Sequence, residues 1–251
     1  MSTAERVNHK ELSDNYVLQR SISAYLYAAQ LVQGKALEIG TGSGYGIDYI
    51  APHSEEFITL DKFQSDIDFS QYSNVLFVQA NVPPIPLEDN TFDFVVSFQV
   101  IEHIKDDITF VKEIYRVLKP GGQLIVSTPN IKTTLTRNPW HIREYTKEEL
   151  QALLLKFFSS VETLGVYGND KVMKYYEHNK QSVQKILRWD IFDLQHKLPA
   201  RLLQIPYDIL NRWNRRKLLK ENPLTKDITA NDFYFDKVSD TALDLFYIAK
   251  K

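Results

Sequence analysis

Three glycines at alternate positions, Gly40, Gly42 and Gly44, stand inside the run Ala36-Leu37-Glu38-Ile39-Gly40-Thr41-Gly42-Ser43-Gly44-Tyr45-Gly46. An apolar run ends at Glu38 and Ile39, and a helical pattern starts after the glycines. Strand, tight glycine turn and helix in that order bring bare backbone up to a ligand at the edge of an open α/β sheet. The spacing then narrows the ligand. A dinucleotide fingerprint needs G-x-G-x-x-G. Counted from Gly40 the third glycine position holds Tyr45, and counted from Gly42 it holds Ile47, so both registers fail. What remains is Glu-x-Gly-x-Gly-x-Gly at a strand-to-helix turn.

The rest of the chain alternates between the two periods. Leu12, Tyr16, Ile22, Leu26 and Ala29 fall at helical spacing over residues 12–32, and Gly34 closes that helix. Strands are expected at 35–39, 57–60 (ending at Asp61), 75–78, 92–98, 123–127 and 161–166, with a last one at 243–249. The helix after the glycines stops near Pro52. Another runs over 107–118 until Lys119-Pro120-Gly121-Gly122 breaks it. Thr146 with Glu149 three residues on reads as a capping box for a helix reaching Phe158. Short apolar strands separated by helices imply a parallel sheet covered on both faces. Ligands of such sheets bind outside the carboxyl ends of the strands. Glu38 to Gly44, Asp61, Asn81, Phe98 to His103 and Thr128 to Asn130 all fall at those ends.

Composition sets outer bounds. The chain has 251 residues, 43% hydrophobic and 25% charged, room for one α/β domain and an elaboration. A net charge of −2 gives no global field for nucleic acid, and no aromatic-basic stacking platform stands out. With no cysteine there is no disulfide, no thiolate nucleophile and no Cys-type zinc site. The first residues, Met-Ser-Thr-Ala-Glu-Arg, are polar and lack a signal-peptide core, and no apolar run reaches membrane-spanning length, so a cytoplasmic protein is expected.

Together with Phe92 to His103 and Leu118 to Val126, the glycine motif closely resembles motifs I, IV and post-IV of the class I S-adenosylmethionine (SAM)-dependent methyltransferases. The small-molecule enzymes of quinone, secondary-metabolite and glycan pathways are the nearest match. The resemblance spans about residues 20 to 165. It implies a Rossmann-like, seven-stranded α/β fold whose parallel sheet has an antiparallel last strand. It also implies SAM as cofactor and a cofactor set of Glu38, Gly40, Thr41, Gly42, Gly44, Asp61, Lys62, Asn81, Val82, Phe98 and Gln99. Asp61, 21 residues after Gly40 at the end of the next strand, can accept hydrogen bonds from both ribose hydroxyls. Asn81 departs from the family's usual aspartate, yet its amide oxygen can accept from an exocyclic amine, with the Val82 N–H beside it. Arg20, one turn from Tyr16, is a displaced counterpart of the family residue that holds the amino-acid end of SAM.

A methyl on sulfonium is already electrophilic, so positioning is expected to dominate, and a base is needed only if the acceptor starts protonated. His103 is the first candidate for that base and His141, in the loop Asn138 to Thr146, the second. Glu102 reads as a structural partner. Metal-dependent relatives carry E-x-x-E-H plus a distal histidine. Here Gln99 takes the place of the first carboxylate, a poor ligand for a dication, so no metal is expected. The reaction is read as O-methylation of a small organic acceptor. C- or N-methylation of a quinone-like or lipid-linked acceptor, or SAM binding without transfer, are the alternatives.

Between strands six and seven lies a helical insertion, residues 170–225, separating a core of 1–169 from a returning segment, 226–251. Its second helix mixes Arg201, Arg212, Arg215, Arg216, Lys217 and Lys220 with apolar residues, and Pro206 is expected to interrupt it. Three readings stay open: a lid lined by Tyr175, Tyr176, Trp189, Phe192 and Trp213, a homodimer surface, or a patch for peripheral membrane contact.

Overall fold

A computed structural model describes residues 11–191, 193–221 and 224–251. The polar amino-terminal stretch and Phe192 lie outside the described residues. Among these, eight strands form one sheet: β1 (Lys35–Ile39), β2 (Glu56–Asp61), β3 (Val75–Gln79), β4 (Phe92–Phe98), β5 (Leu118–Pro129), β6 (Ser160–Gly168), β7 (Phe233–Lys237) and β8 (Asp244–Lys250). Their order across the sheet is β3-β2-β1-β4-β5-β8-β6-β7. β1 pairs in parallel with both β2 and β4, while β8 runs antiparallel to β5 and β6. The expected antiparallel last strand is thus present, as is the Rossmann-like class. The count is eight and not seven. Because β8 inserts between β5 and β6, the far side of β6 is left open, and the aromatic run Phe233-Tyr234-Phe235 pairs along it as β7.

Side chains alternate across β1. Leu37 and Ile39 face a layer with α3 (Asp107–Val117) and α4 (Lys147–Leu154), through Phe110, Ile114 and Leu150. Ala36 and the buried Glu38 face the other layer, which holds α1 (Asn15–Ala29) and α2 (Ile47–Ile50). Each buried Leu, Ile or Phe in these layers contributes roughly 1.5–3 kcal/mol. Local signals start and stop the helices. Asp106 caps α3 by accepting from Thr109 N at 3.0 Å, and Thr146 and Glu149 close the capping box of α4, which ends at Leu154, short of Phe158. The buried side of α1 is Tyr16, Tyr25 and Ala28, whereas Leu12 and Leu26 are exposed. The Lys119-Pro120-Gly121-Gly122 segment is a bulge within β5: pairing jumps from Phe92↔Leu118 to Phe94↔Gln123.

The insertion contains α5 (Asp170–Leu187), α6 (Leu194–Lys197), α7 (Ala200–Glu221) and α8 (Leu224–Asp227). Pro206 does not interrupt α7. It sits on the exposed side, where the carbonyl that loses its donor can turn to water. Val172, Tyr175 and Leu218 are buried in the α1-side layer, and Tyr175 stacks on Tyr16 at 4.4 Å between ring centroids. The chain leaves β1 toward β2 on one side and returns from β3 to β4 on the other. The resulting switch point opens a crevice at the carboxyl ends of β1 and β4.

Candidate active site

A cavity of about 650 Å³ opens at that crevice, large enough for a cofactor and a small acceptor. Gly40, Thr41 and Gly42 form its floor, with backbone φ of +99° at Gly40 and +56° at Gly42. A Cβ at Gly42 would meet only the Gly40 carbonyl, at 4.0 Å, so the space beside it is open to a ligand. Asp61 stands at the end of β2. Its Oδ2 accepts from Gly42 N and its Oδ1 from Phe63 N, both at 2.9 Å, so the carboxylate also fastens the glycine turn. Lys62, Asn81, Val82, Phe98 and Gln99 line the same cavity. Gln99 has φ +57°, a strained value for a residue with a side chain, and its N–H donates to Ser127 O at 2.9 Å.

Two of the sequence-predicted residues do not line the cavity. Gly44 is packed against Ile67. Glu38 lies beneath the turn, fully buried, accepting from Tyr25 Oη at 2.6 Å and from Thr59 Oγ1 at 2.5 Å. Burial pushes its carboxyl up to about 7, partly offset by those two hydrogen bonds. Thr59 in turn pairs with Thr41 Oγ1 at 2.6 Å, so Glu38 supports the floor from below and ties it to α1. Arg20 does reach the cavity wall, but its Nε is 3.1 Å from Asp244 in a pair that is mostly buried. Burial raises the Asp244 pKa, while Arg20 and the Gln99 amide favour its ionised form.

His103 and His141 meet across the other end, ring centroids 4.9 Å apart and nearly perpendicular. His103 Nδ1 lies 3.0 Å from the Trp140 carbonyl. A carbonyl only accepts, so Nδ1 carries a proton. His141 Nδ1 lies 2.6 Å from Glu144 Oε1, and its Nε2 lies 2.8 Å from Asn138 Nδ2. That places a donor against the His141 lone pair. Glu102 is buried and accepts from Thr128 Oγ1 at 2.9 Å, and its carbonyl accepts from Ile142 N and Arg143 N. Ligand-type atoms of Glu102, His103 and His141 fall within 4.8 Å of one another, a set whose chemistry suits a divalent cation.

Sequence reasoning missed the residues that join these parts. Trp140 Nε1 donates to Asp208 on α7 at 3.0 Å, and Arg137 Nη1 donates to the carbonyl of Gln195 at 2.8 Å. Asn179, Asn211 and Asn214 line the cavity from α5 and α7, and Asn214 bonds to Asn179 at 2.8 Å. Tyr207, Asn211, Asn214 and Leu218 share one helical face, and amides at such positions were the signal available. Of the five aromatics expected in a lid, Tyr175 and Tyr176 line the cavity. Trp189 is 88% exposed, and Trp213 points outward as well. The inner positions of α7 are filled by tyrosine and asparagine, which leaves Trp213 on the other side, while Trp189 lies in the turn after α5.

The glycine turn, the Asp61 carboxylate and the switch-point cavity stand together in the arrangement that the resemblance to class I methyltransferases implies. A methyltransferase domain model matches residues 37–126. A probable SAM-dependent methyltransferase of Mycolicibacterium smegmatis is 38% identical over 174 residues, 66% of this chain and 68% of that one. A second, from Mycobacterium tuberculosis, is 39% identical over 63% of this chain and 61% of its own length. The chain belongs to the SAM-dependent methyltransferases, and SAM is its cofactor. A Thermotoga maritima structure, described as a SAM-dependent and possible histamine N-methyltransferase, shares the fold. Its TM-score is 0.57 at 16% identity, over 94% of this chain and 91% of that one.

Proposed function

We propose that the enzyme methylates a hydroxyl oxygen on a small, uncharged acceptor, with His103 Nε2 as the base. The carrying observation is the Trp140 carbonyl at 3.0 Å from His103 Nδ1, which orients the imidazole on the wall of the cavity that contains the glycine turn. When bound, SAM supplies a methyl group on a sulfonium that leaves as a neutral thioether. The open space beside Gly42 and the half-buried Asp61 carboxylate fit its ribose, and Asn81 and the Val82 N–H its adenine, while the Arg20–Asp244 pair on the cavity wall offers one charge of each sign to its zwitterionic amino-acid end. His103 takes the hydroxyl proton as the oxygen forms its bond to the methyl carbon. His141, held between Glu144 and Asn138, shapes the wall beside it. The acceptor half of the cavity is rich in amides, hydroxyls and aromatic rings, and its Arg215 is paired with Asp14 at 2.8 Å, which favours a neutral hydroxylated molecule. The insertion, residues 170–225, acts as a lid over that half.

Steady-state kinetics on an acceptor panel test this reading. Removing a general base costs about 10²–10⁴ in kcat. His103→Ala is expected to lose that much with SAM affinity intact, and His141→Ala less. If His103→Ala keeps wild-type kcat, or if only amine or carbon acceptors turn over, the oxygen-and-base reading is wrong.

A further inference from the structure

We propose that the outer face of α7, with the turn that precedes α6, is a docking surface for an anionic lipid bilayer. The inner face of α7 is committed to the protein. Asn214 and Leu218 are buried, and Tyr207 and Asn211 line the cavity. On the opposite side, Leu202, Ile205, Ile209 and Trp213 follow one another at intervals of three and four, so they form one stripe. Each is more than half exposed, Ile205 reaching 71%. Trp189 and Ile191, in the turn between α5 and α6, are among the most exposed large apolar residues described. Single exposed apolar side chains are ordinary, but an apolar stripe ending in one tryptophan, with a second tryptophan exposed on the turn before α6, is the composition of a surface that lies in a membrane interface.

Charge selects the occupant. Residues 185–220 hold nine Lys or Arg against three Asp or Glu, in a chain whose net charge is −2. Arg216 and Lys220 continue the outer face beyond Trp213, and Arg201 and Lys217 flank it. Apolar residues therefore occupy the first half of the outer face and cations the second, the pairing that anionic headgroups over acyl chains satisfy. A second copy packed by the apolar half would leave the basic half without counter-charge, whereas anionic headgroups meet both halves at once. Among the described residues no helix is long and apolar enough to cross a membrane, so the contact is peripheral. Leu210 both lines the cavity and is 46% exposed, so the docking face adjoins the acceptor half of the site. The proposal holds whatever atom accepts the methyl group.

Flotation with vesicles of phosphatidylglycerol and phosphatidylcholine in equal parts, against phosphatidylcholine alone, tests it on the full chain. Wild type is expected to partition onto the anionic vesicles about tenfold or more better, and to come off in high salt. Ile205→Ser/Ile209→Ser/Trp213→Ser and, separately, Arg201→Gln/Lys217→Gln/Lys220→Gln are each expected to lose about tenfold or more in partitioning. Circular dichroism and SAM titration show whether each variant is folded. Wild type that ignores anionic vesicles overturns the proposal, as do two folded variants that bind like wild type. So does sedimentation showing a wild-type dimer, split by the apolar triple variant, with no vesicle binding.

Discussion

At the scale of single residues, the sharpest test lies in the floor of the cavity. Nothing in the protein crowds a side chain at Gly42 except the Gly40 carbonyl at 4.0 Å, although its φ of +56° strains any replacement. Gly42→Val therefore acts both on whatever approaches that backbone and on the turn itself, and SAM affinity is expected to fall together with a lowered melting temperature in a protein that still folds. Asp61→Ala removes hydrogen bonds to a charged acceptor, each worth about 1.5–3 kcal/mol, and also frees Gly42 N. Titration calorimetry on both variants decides: unchanged SAM affinity in the pair sinks the assignment of this floor. Glu38, one layer down, sets a pH dependence of stability. Its carboxyl titrates near 7 in the folded protein against an ordinary 4.5, so the folded state holds this proton more tightly than the unfolded chain. The stabilisation is full below about pH 4.5 and is lost as pH rises through 7. Between about pH 5 and pH 8 that amounts to roughly 2–3 kcal/mol. Urea unfolding of Glu38→Gln is expected to show this slope flattened, and a variant as pH-sensitive as wild type places the dependence elsewhere.

At the scale of elements, Asp208 links α7 to the candidate base. Asp208 accepts from the Trp140 indole, and the Trp140 carbonyl holds His103. Asp208→Ala removes one part-buried hydrogen bond, worth about 1–3 kcal/mol, and is expected to raise the acceptor KM and lower kcat with SAM affinity unchanged. Asp208→Asn keeps an acceptor oxygen and should restore most of the loss. Equal kinetics in wild type and Asp208→Ala would show that the latch is idle. None of this linkage was legible in the sequence, because residues 68 apart meet through a loop whose path no periodicity encodes. The strands and caps were legible, since they rest on local signals: β1 and β4 fall where the apolar runs lie, and the α4 capping box is four residues long. The outcome at Pro206 turned on which side of α7 faces water, and at β7 on a vacancy left by β8, both properties of the assembled sheet. Glu38 was found as a motif position and Arg20 as a displaced counterpart of one, but their partners Tyr25, Thr59 and Asp244 come from α1, β2 and β8.

At the scale of the whole molecule, the sheet carries the glycine-turn end of the cavity, and α5 and α7 wall the other end, where the acceptor is proposed to sit. Replacing all of 172–222 with a linker would not separate those roles. Val172, Tyr175 and Leu218 belong to the layer that buries α1, so their loss would unfold the cofactor side as well. A narrower excision respects the packing. Ser182 Oγ bonds to Asn214 Oδ1 at 2.6 Å, so the chain on either side of the distal insertion is already close together. A short Gly/Ser linker joining Val183 to Trp213 keeps that bond and the buried base of the insertion. It removes Ile186, Leu187, Tyr207, Leu210 and Asn211 from the cavity wall, together with the Asp208 latch. Because a methyl transfer depends chiefly on holding the acceptor in line, loss of this wall is expected to cut transfer by about 10²-fold or more. SAM affinity should stay within a few-fold, since no residue of the glycine turn, Asp61 or Asn81 is touched. Calorimetry with SAM and a methyl-transfer assay on the same preparation separate the outcomes. Lost SAM binding would make the distal insertion part of the cofactor site, and full transfer on the native acceptor would remove any role for it in acceptor choice.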